Sequence, residues 1–222
     1  MDRSFCQSLG AALQSNAAKP PILVRAVDSQ RVLKILEDLA VVALVATDPD
    51  LALEEHADVW DTIVRYTLAG GITVLAGRFC DAPILSLPPF FARAGLPWTA
   101  GRWFGPNLSL NHLAVNVGLN HRLNHLALAP AAHSPVAGPS LVDRLPPRYN
   151  LFSHFLANVD AQEAWYIPLD PVPERRYFEE IYGYRMAPVA LARIGQGRLG
   201  YVGADMPARE VSTIIRAMCG FM

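Results

Sequence analysis

The residues best suited to chemistry form a short run around Cys80. The run consists of Arg78, Phe79, Cys80 and Asp81, and Gly77 joins it to residues 72–76, an apolar stretch that predicts a buried strand. A cysteine at the end of such a strand is a candidate nucleophile, because a neighbouring guanidinium or a helix N-terminus lowers the pKa of a thiol. The alternative is that Cys80 is a small buried thiol that only packs.

Arg78 is the candidate for holding a substrate. A guanidinium at the mouth of an apolar site binds a carboxylate, an enolate or a carbonyl oxygen through paired hydrogen bonds. The competing interpretation is a surface ion pair with Asp81, three residues further along the chain. The sequence leaves both interpretations open.

A second group of candidates follows a proline-rich stretch at residues 81–98. Trp98, Arg102 and Trp103 could form an aromatic wall with a cation beside it. We expect a ligand to touch these three residues together with Phe79 and Asp81.

Aspartates end or follow several apolar runs. Asp28, Asp48 and Asp205 each stand at a predicted strand end or before a predicted helix, where a carboxylate can transfer a proton. The expected catalytic set is therefore Arg78, Cys80, Asp48 and Asp205. Asp28 is a further pocket candidate, and Asp81 or a nearby histidine could also carry the proton.

Two further motifs resemble binding sites, but the sequence around each favours a structural role over a functional one. Residues 195–200 spell G-x-G-x-x-G, but a strand rather than a helix follows, so a glycine-bearing hairpin is favoured over a dinucleotide site. His121 and His125 have the spacing of metal ligands on a helix, with His112 and His133 as possible third ligands. No acidic ligand accompanies them, and Gly118 and Asn120 argue against a firm helix, so we expect no metal. We also expect no cofactor. A G-x-S-x-G hydrolase elbow is also absent from the sequence.

Composition limits the classes of function. Of the 222 residues, 52% are hydrophobic and 18% are charged, which predicts a large core and excludes wholesale disorder. The 19 basic and 20 acidic side chains give a net charge of -1, so there is no field to attract nucleic acid. Three dispersed cysteines favour a reducing compartment.

No segment of the sequence has the pattern of a membrane span or of a secretion signal. The most apolar run, residues 39–46, is far shorter than the roughly 20 residues that cross a bilayer. The chain also lacks a basic start followed by a continuous apolar stretch. We expect one cytoplasmic domain over residues 1–222, with residues 1–20 as an N-terminal extension.

The elements that would position these candidates alternate along the first part of the chain. Apolar runs predict strands at residues 22–27, 41–46 and 72–76, with a helix from Ser29 and another from Asp48 to about Leu68 between them. This is a β-α-β-α-β order, which predicts a parallel sheet. Further strands are predicted at residues 152–159, 164–167, 189–194 and 199–202, and the final helix carries Val211, Ile214, Ile215 and Met218 on one face.

Two segments of the chain resemble a known superfamily. Residues 187–205 (APVALARIGQGRLGYVGAD) resemble the closing strand pair of the class I glutamine amidotransferase-like superfamily, in particular its ThuA-like branch. Residues 70–77 (GGITVLAG) resemble the strand that leads to its nucleophile elbow, and residues 200–220 resemble the ending of uncharacterised fungal proteins of this fold. The resemblance runs in order over residues 20–220.

The resemblance implies a flavodoxin-like three-layer α/β sandwich with a mainly parallel sheet. It also implies a catalytic cysteine at the elbow and a later histidine. In this chain the elbow pattern puts Phe79 at the nucleophile position, with Cys80 one residue further on. Gly203, Ala204 and Asp205 stand where active relatives carry Gly-His. We therefore expect the fold without the glutaminase Cys-His machinery.

The sequence thus predicts a small-molecule enzyme rather than a glutaminase. We expect a hydrolase, lyase, isomerase or cyclase that acts on an apolar organic substrate of fungal metabolism, in the crevice at the strand carboxyl ends. The alternative is a non-catalytic ligand-binding or assembly module, in which excess apolar surface forms the interface of a homo-oligomer.

Overall fold

A four-stranded sheet lies at the centre of the fold. The computed structural model describes residues 3–14, 22–38, 41–105, 107–119, 141–168, 185–204, 206 and 208–221. The central sheet has the order β1-β2-β10-β9, and its strands are β1 (Ala43–Ala46), β2 (Ile72–Leu75), β9 (Val189–Ile194) and β10 (Gly197–Val202). Strands β1, β2 and β10 run parallel, whereas β9 pairs antiparallel with β10. The predicted α/β class with a mainly parallel central sheet is confirmed.

The described part of the chain also contains two smaller sheets and six α-helices. Two smaller antiparallel sheets have the orders β3-β6-β8 and β5-β4-β7. Their strands are β3 (Thr99–Phe104), β4 (Leu108–Leu110), β5 (Arg148–Tyr149), β6 (Ser153–Ala157), β7 (Tyr166–Pro168) and β8 (Met186–Ala187). The helices are α1 (Arg3–Gln14), α2 (Ser29–Asp38), α3 (Ala57–Leu68), α4 (Leu87–Arg93), α5 (His112–Leu119) and α6 (Arg209–Cys219).

The predicted strand at residues 22–27 is wrong. This segment has no regular structure, and Ile22 is 92% exposed. A short apolar run becomes a strand only where a neighbouring strand can pair with it, and within the described residues β1 pairs with β2 alone. The helix predicted from Ser29 is present as α2.

The connection between β1 and β2 begins differently from the prediction. Asp48 accepts a hydrogen bond from the backbone N–H of Asp50 and caps a 3-10 turn at Pro49–Ala52, and a second 3-10 turn, Glu54–His56, follows. The α-helix α3 starts only at Ala57. Helix α3 ends at Leu68, as predicted, and Gly70 follows with a φ of 116°, a backbone conformation that favours glycine.

Strand β2 separates two hydrophobic clusters. Successive side chains of a strand point to opposite faces, and Ile72 and Val74 belong to one cluster while Leu75 belongs to the other. The first cluster includes residues of α1 and α6, and the second includes residues of α3 and α4. The carboxyl end of β2 therefore lies at the border of two packed layers, held from both sides.

The C-terminal part of the chain follows its predicted pattern. Gly195, with a φ of 56°, closes an antiparallel hairpin between β9 and β10, which confirms the hairpin interpretation of the glycine motif. All four apolar positions predicted for the last helix are buried in α6, which ends at Gly220 in the left-handed conformation.

The N-terminal helix packs on the same core. Phe5 and Leu9 of α1 are buried in the cluster that contains α6. None of the helices in the described part of the chain is long and apolar enough to cross a bilayer.

Candidate functional site

A sharp turn follows β2 and presents the residues around Cys80. Gly77 has a φ of 59° and starts a 3-10 turn, Gly77–Asp81. A Cβ atom at this position would also lie 2.9 Å from the ring of Phe5. Glycine is therefore required here for two reasons, its backbone conformation and its contact with α1.

Three chemically different side chains meet at this turn. The Cys80 Sγ, a carboxylate oxygen of Asp81 and a ring nitrogen of His154 all lie within 4.8 Å of one another. Cys80 is buried, whereas the side chains of Asp81 and His154 are 41% and 40% exposed. We call Cys80, Asp81 and His154 the strand-end cluster. A buried thiol thus lies beneath two groups that solvent can reach.

The two carboxylate oxygens of Asp81 face different partners. Oδ1 lies 4.0 Å from Nε2 of His154, and Oδ2 accepts a hydrogen bond from Nε of Arg78 at 3.5 Å. The ion pair that the sequence left as the alternative interpretation of Arg78 is therefore present. Arg78 is half exposed, so its contact with Asp81 does not remove it from the mouth of the site.

The backbone of His154 is fixed on both sides. Its N–H donates to the Gly203 carbonyl oxygen at 2.9 Å, and its own carbonyl oxygen accepts from the Tyr201 hydroxyl at 3.0 Å. A Cβ atom at Gly203 would collide with the same carbonyl oxygen. Burial, together with the nearby Cys80, raises the pKa of Tyr201 well above its usual value, so the hydroxyl keeps its proton.

Aromatic side chains stand beside the strand-end cluster. Trp103 lies opposite His154 in the β3–β6 ladder, with ring centroids 6.4 Å apart. Its indole stacks on Phe152 at 5.0 Å, and the two residues are 58% and 60% exposed. We call Trp103 and Phe152 the aromatic rim. A ligand at the cluster would find exposed apolar surface here.

Two predicted substrate contacts lie inside the core. Phe79 is 0% exposed and packs against Phe90 at 5.3 Å between ring centroids. Trp98 is also 0% exposed, and its Nε1 donates to a carboxylate oxygen of Glu163 at 2.9 Å. Burial raises the pKa of Glu163. Of the predicted aromatic wall, Trp103 is the member that solvent reaches.

The remaining predicted residues are not members of the strand-end cluster or fall outside the described residues. Asp28 accepts from the backbone N–H of Arg31 at the start of α2, and Asp48 caps the 3-10 turn described above. Arg102 is exposed on β3. Asp205 falls outside the described residues, as do three of the predicted histidine candidates, namely His121, His125 and His133. His112 is exposed at the start of α5.

One depression in the described surface lies elsewhere. It has a volume of about 710 Å³ and is lined by residues of α2 and α3 and by those preceding β1 and β2, among them Leu36, Val41, Tyr66 and Gly71. It therefore lies at the amino ends of the parallel strands, whereas α/β proteins bind ligands at the carboxyl ends. The chemically richer strand-end cluster defines the candidate site.

Sequence reasoning did not single out His154. It lies on an apolar strand, where one histidine is ordinarily a packed or solvated residue. The only signal in the sequence is a histidine two residues after Phe152, near the start of the strand predicted at residues 152–159. Its approach to Asp81 depends on the contact between β6 and the chain after β10, which no local pattern encodes.

Comparisons with known proteins do not assign a family. No protein-family model matches the chain, and no curated protein matches it either.

Proposed function

We propose that this chain is an enzyme that acts on a small, apolar organic molecule at the carboxyl ends of β2 and β10. The observation that carries the proposal is the convergence of Cys80, Asp81 and His154 within 4.8 Å. A thiol, a carboxylate and an imidazole at one point provide groups that can accept and donate protons.

The strand-end cluster is the proton-transfer centre in this proposal. It takes a proton from the substrate or from a water molecule and returns it later in the reaction, which is the chemistry of a hydrolase, lyase, isomerase or cyclase. Arg78 provides a hydrogen-bond donor for a substrate oxygen, and the aromatic rim provides apolar contact. The expected substrate is therefore apolar, with at least one carbonyl or carboxylate oxygen.

We further propose a flavodoxin-like fold of the class I glutamine amidotransferase-like kind, in its ThuA-like branch, and a role in cytoplasmic fungal metabolism. The β1-α3-β2 unit and the glycine turn after β2 support the fold. The histidine at Cys80 comes from β6 and not from the segment after the last strand. This different origin of the histidine is consistent with chemistry other than glutaminase activity.

A panel of aromatic esters, lactones and β-keto acids tests the proposal. We expect turnover of at least one class, and a drop in kcat of about 100-fold or more in His154→Gln and Asp81→Asn. The matched control is His56→Gln, because His56 also lies beside a carboxylate, Glu55, at 3.7 Å. Equal activity of all variants, or ligand binding with no turnover of any class, would contradict the proposal.

The second candidate is a non-catalytic module that assembles into a homo-oligomer. It is favoured by exposed aliphatic residues close to the 3-10 turn Gly77–Asp81. Ile84 and Leu85 are adjacent and are 68% and 89% exposed. Such residues are usual at subunit interfaces. Sedimentation of the wild type and of Leu85→Glu tests this candidate. A dimer that becomes monomeric in the variant supports it, and a wild-type monomer contradicts it.

A further inference from the structure

We propose that Cys80, Asp81 and His154 together bind one divalent transition-metal ion of the Zn²⁺ type. This inference rests on the proposed function, because it concerns the same cluster and names what would perform the proton transfer there. The expectation that the chain binds no metal was based on His121 and His125, which lie outside the described residues. The structure assembles a different set of ligands.

The types of donor atom select the class of ion. A thiolate sulfur and an imidazole nitrogen favour Zn²⁺ and its neighbours in the first transition series over Mg²⁺ and Ca²⁺, which prefer oxygen. The Cys80 thiolate and the Asp81 carboxylate carry two negative charges that offset the ion's two positive charges. The thiol proton leaves to solvent as the sulfur–metal bond forms.

The distances in the cluster suit one shared ion. Metal–ligand bonds of about 2.0–2.3 Å in a tetrahedron place the ligand atoms about 3.3–3.8 Å apart. The three donor atoms lie within 4.8 Å, and the His154 Nε2 to Asp81 Oδ1 distance is 4.0 Å. Inward movements of 1 Å or less close this gap. Asp81 and His154 are partly exposed, which leaves them room to move.

Neighbouring groups hydrogen-bond to Asp81 and His154 and orient them, as such groups do for the ligands in metal sites. Arg78 occupies Oδ2 of Asp81 and leaves Oδ1 directed at His154, so the carboxylate is set for a single metal bond. The hydrogen bonds to Gly203 and Tyr201 fix the backbone of His154. Three protein ligands leave a fourth position for water, which is the arrangement of catalytic rather than structural zinc sites.

A metal ion at this position would define the chemistry of the site. It would lower the pKa of a bound water molecule and polarise a substrate oxygen. The protein's own residues would contribute the ligands, the Arg78 guanidinium and the aromatic rim. The substrate class narrows accordingly to apolar molecules with a carbonyl group that water can attack.

Titration of the chelator-treated full chain with Co²⁺ tests the inference. We expect one ion per chain, with the thiolate-to-cobalt charge-transfer absorption that a sulfur ligand produces, and displacement of Co²⁺ by Zn²⁺. Cys80→Ser should abolish this absorption, and His154→Ala and Asp81→Asn should weaken binding at least tenfold. Cys6→Ser is the matched control, because Cys6 is a partly exposed thiol on α1 that does not belong to the cluster.

Different outcomes separate the two proposals. Binding below one ion per chain, or a charge-transfer absorption that survives Cys80→Ser, overturns the metal site. If Cys80→Ser does not fold, as judged by circular dichroism, unchanged affinity in the Asp81 and His154 variants overturns it instead. Turnover that resists chelation but is lost in His154→Gln rejects the metal and retains the proposed enzyme. Stoichiometric metal binding without turnover of any substrate class retains the metal site and rejects the proposed enzyme.

Discussion

The carboxylate of Asp81 lies 4.0 Å from the imidazole of His154, although the first residue follows a parallel strand and the second belongs to an antiparallel one. The contact forms because β6 runs past the end of β10, where His154 and Gly203 are joined by a backbone hydrogen bond. The candidate site is therefore a product of the junction between two sheets. Changes at that junction should alter the chemistry without touching the reactive side chains.

The turn at Gly77 should be sensitive to any side chain. Gly77→Ala forces alanine into a left-handed conformation and against the Phe5 ring, so we expect a loss of about 2–3 kcal/mol in the free energy of unfolding. Urea denaturation measures this loss. Gly95→Ala is the matched control, because Gly95 has a φ of 76° but open space around it, and it should cost only about 1 kcal/mol. Equal losses would show that the Phe5 contact is unimportant.

Arg78 should matter for ligand binding more than for stability. Its ion pair with Asp81 is exposed and contributes at most about 1 kcal/mol, so Arg78→Ala should keep its melting temperature within a few degrees. We expect the same variant to lose substrate binding or turnover. Arg65→Ala, in an exposed arginine of α3, serves as the control. Normal binding or outright unfolding of Arg78→Ala would make Arg78 a structural residue.

Local patterns predicted the elements better than they predicted the site. Strand β9 has its predicted bounds, β10 begins two residues before its predicted start, and the apolar positions predicted for the last helix are buried in α6. These elements were predictable because apolar periodicity and glycine positions are local signals. The segment at residues 22–27 shows the limit of this approach, since an apolar run does not reveal whether a partner strand exists. Trp98 shows another limit. Its burial against Glu163 depends on distant parts of the chain.

The aromatic rim should affect KM more than kcat. Trp103 and Phe152 are exposed and stack on each other, so their removal should cost little stability. An aromatic contact contributes about 0.5–1.5 kcal/mol, which corresponds to a rise in KM of up to about tenfold for Trp103→Ala. Steady-state kinetics on an active ester or lactone separates the two constants. Leu113→Ala, another exposed apolar position, should leave both unchanged. A fall in kcat alone would place Trp103 in a different role.

The chain should release no ammonia from glutamine. No histidine follows Gly203 in the sequence, and the proposed resemblance to the amidotransferase-like superfamily would put Phe79, which is buried, at the nucleophile position. A coupled glutamate dehydrogenase assay measures the release. Activity that disappears in Cys80→Ala would overturn this prediction and would indicate that the histidine from β6 replaces the missing one.

Alkaline pH should destabilise the protein through Tyr201. Burial raises the pKa of this buried hydroxyl well above its usual value near 10, so the folded chain keeps a proton that the unfolded chain loses. The stabilisation is complete below about pH 10 and declines as the pH rises further, because the unfolded state then binds fewer protons. Urea denaturation between about pH 8 and 11 should show a fall in stability that is shallower in Tyr201→Phe.

At neutral pH the Tyr201→Phe variant should also lose about 1 kcal/mol in the free energy of unfolding, since the His154 carbonyl oxygen loses its hydroxyl donor. An unchanged slope above pH 10 would assign the alkaline loss to other tyrosines, with Tyr166 first among them because burial also raises its pKa.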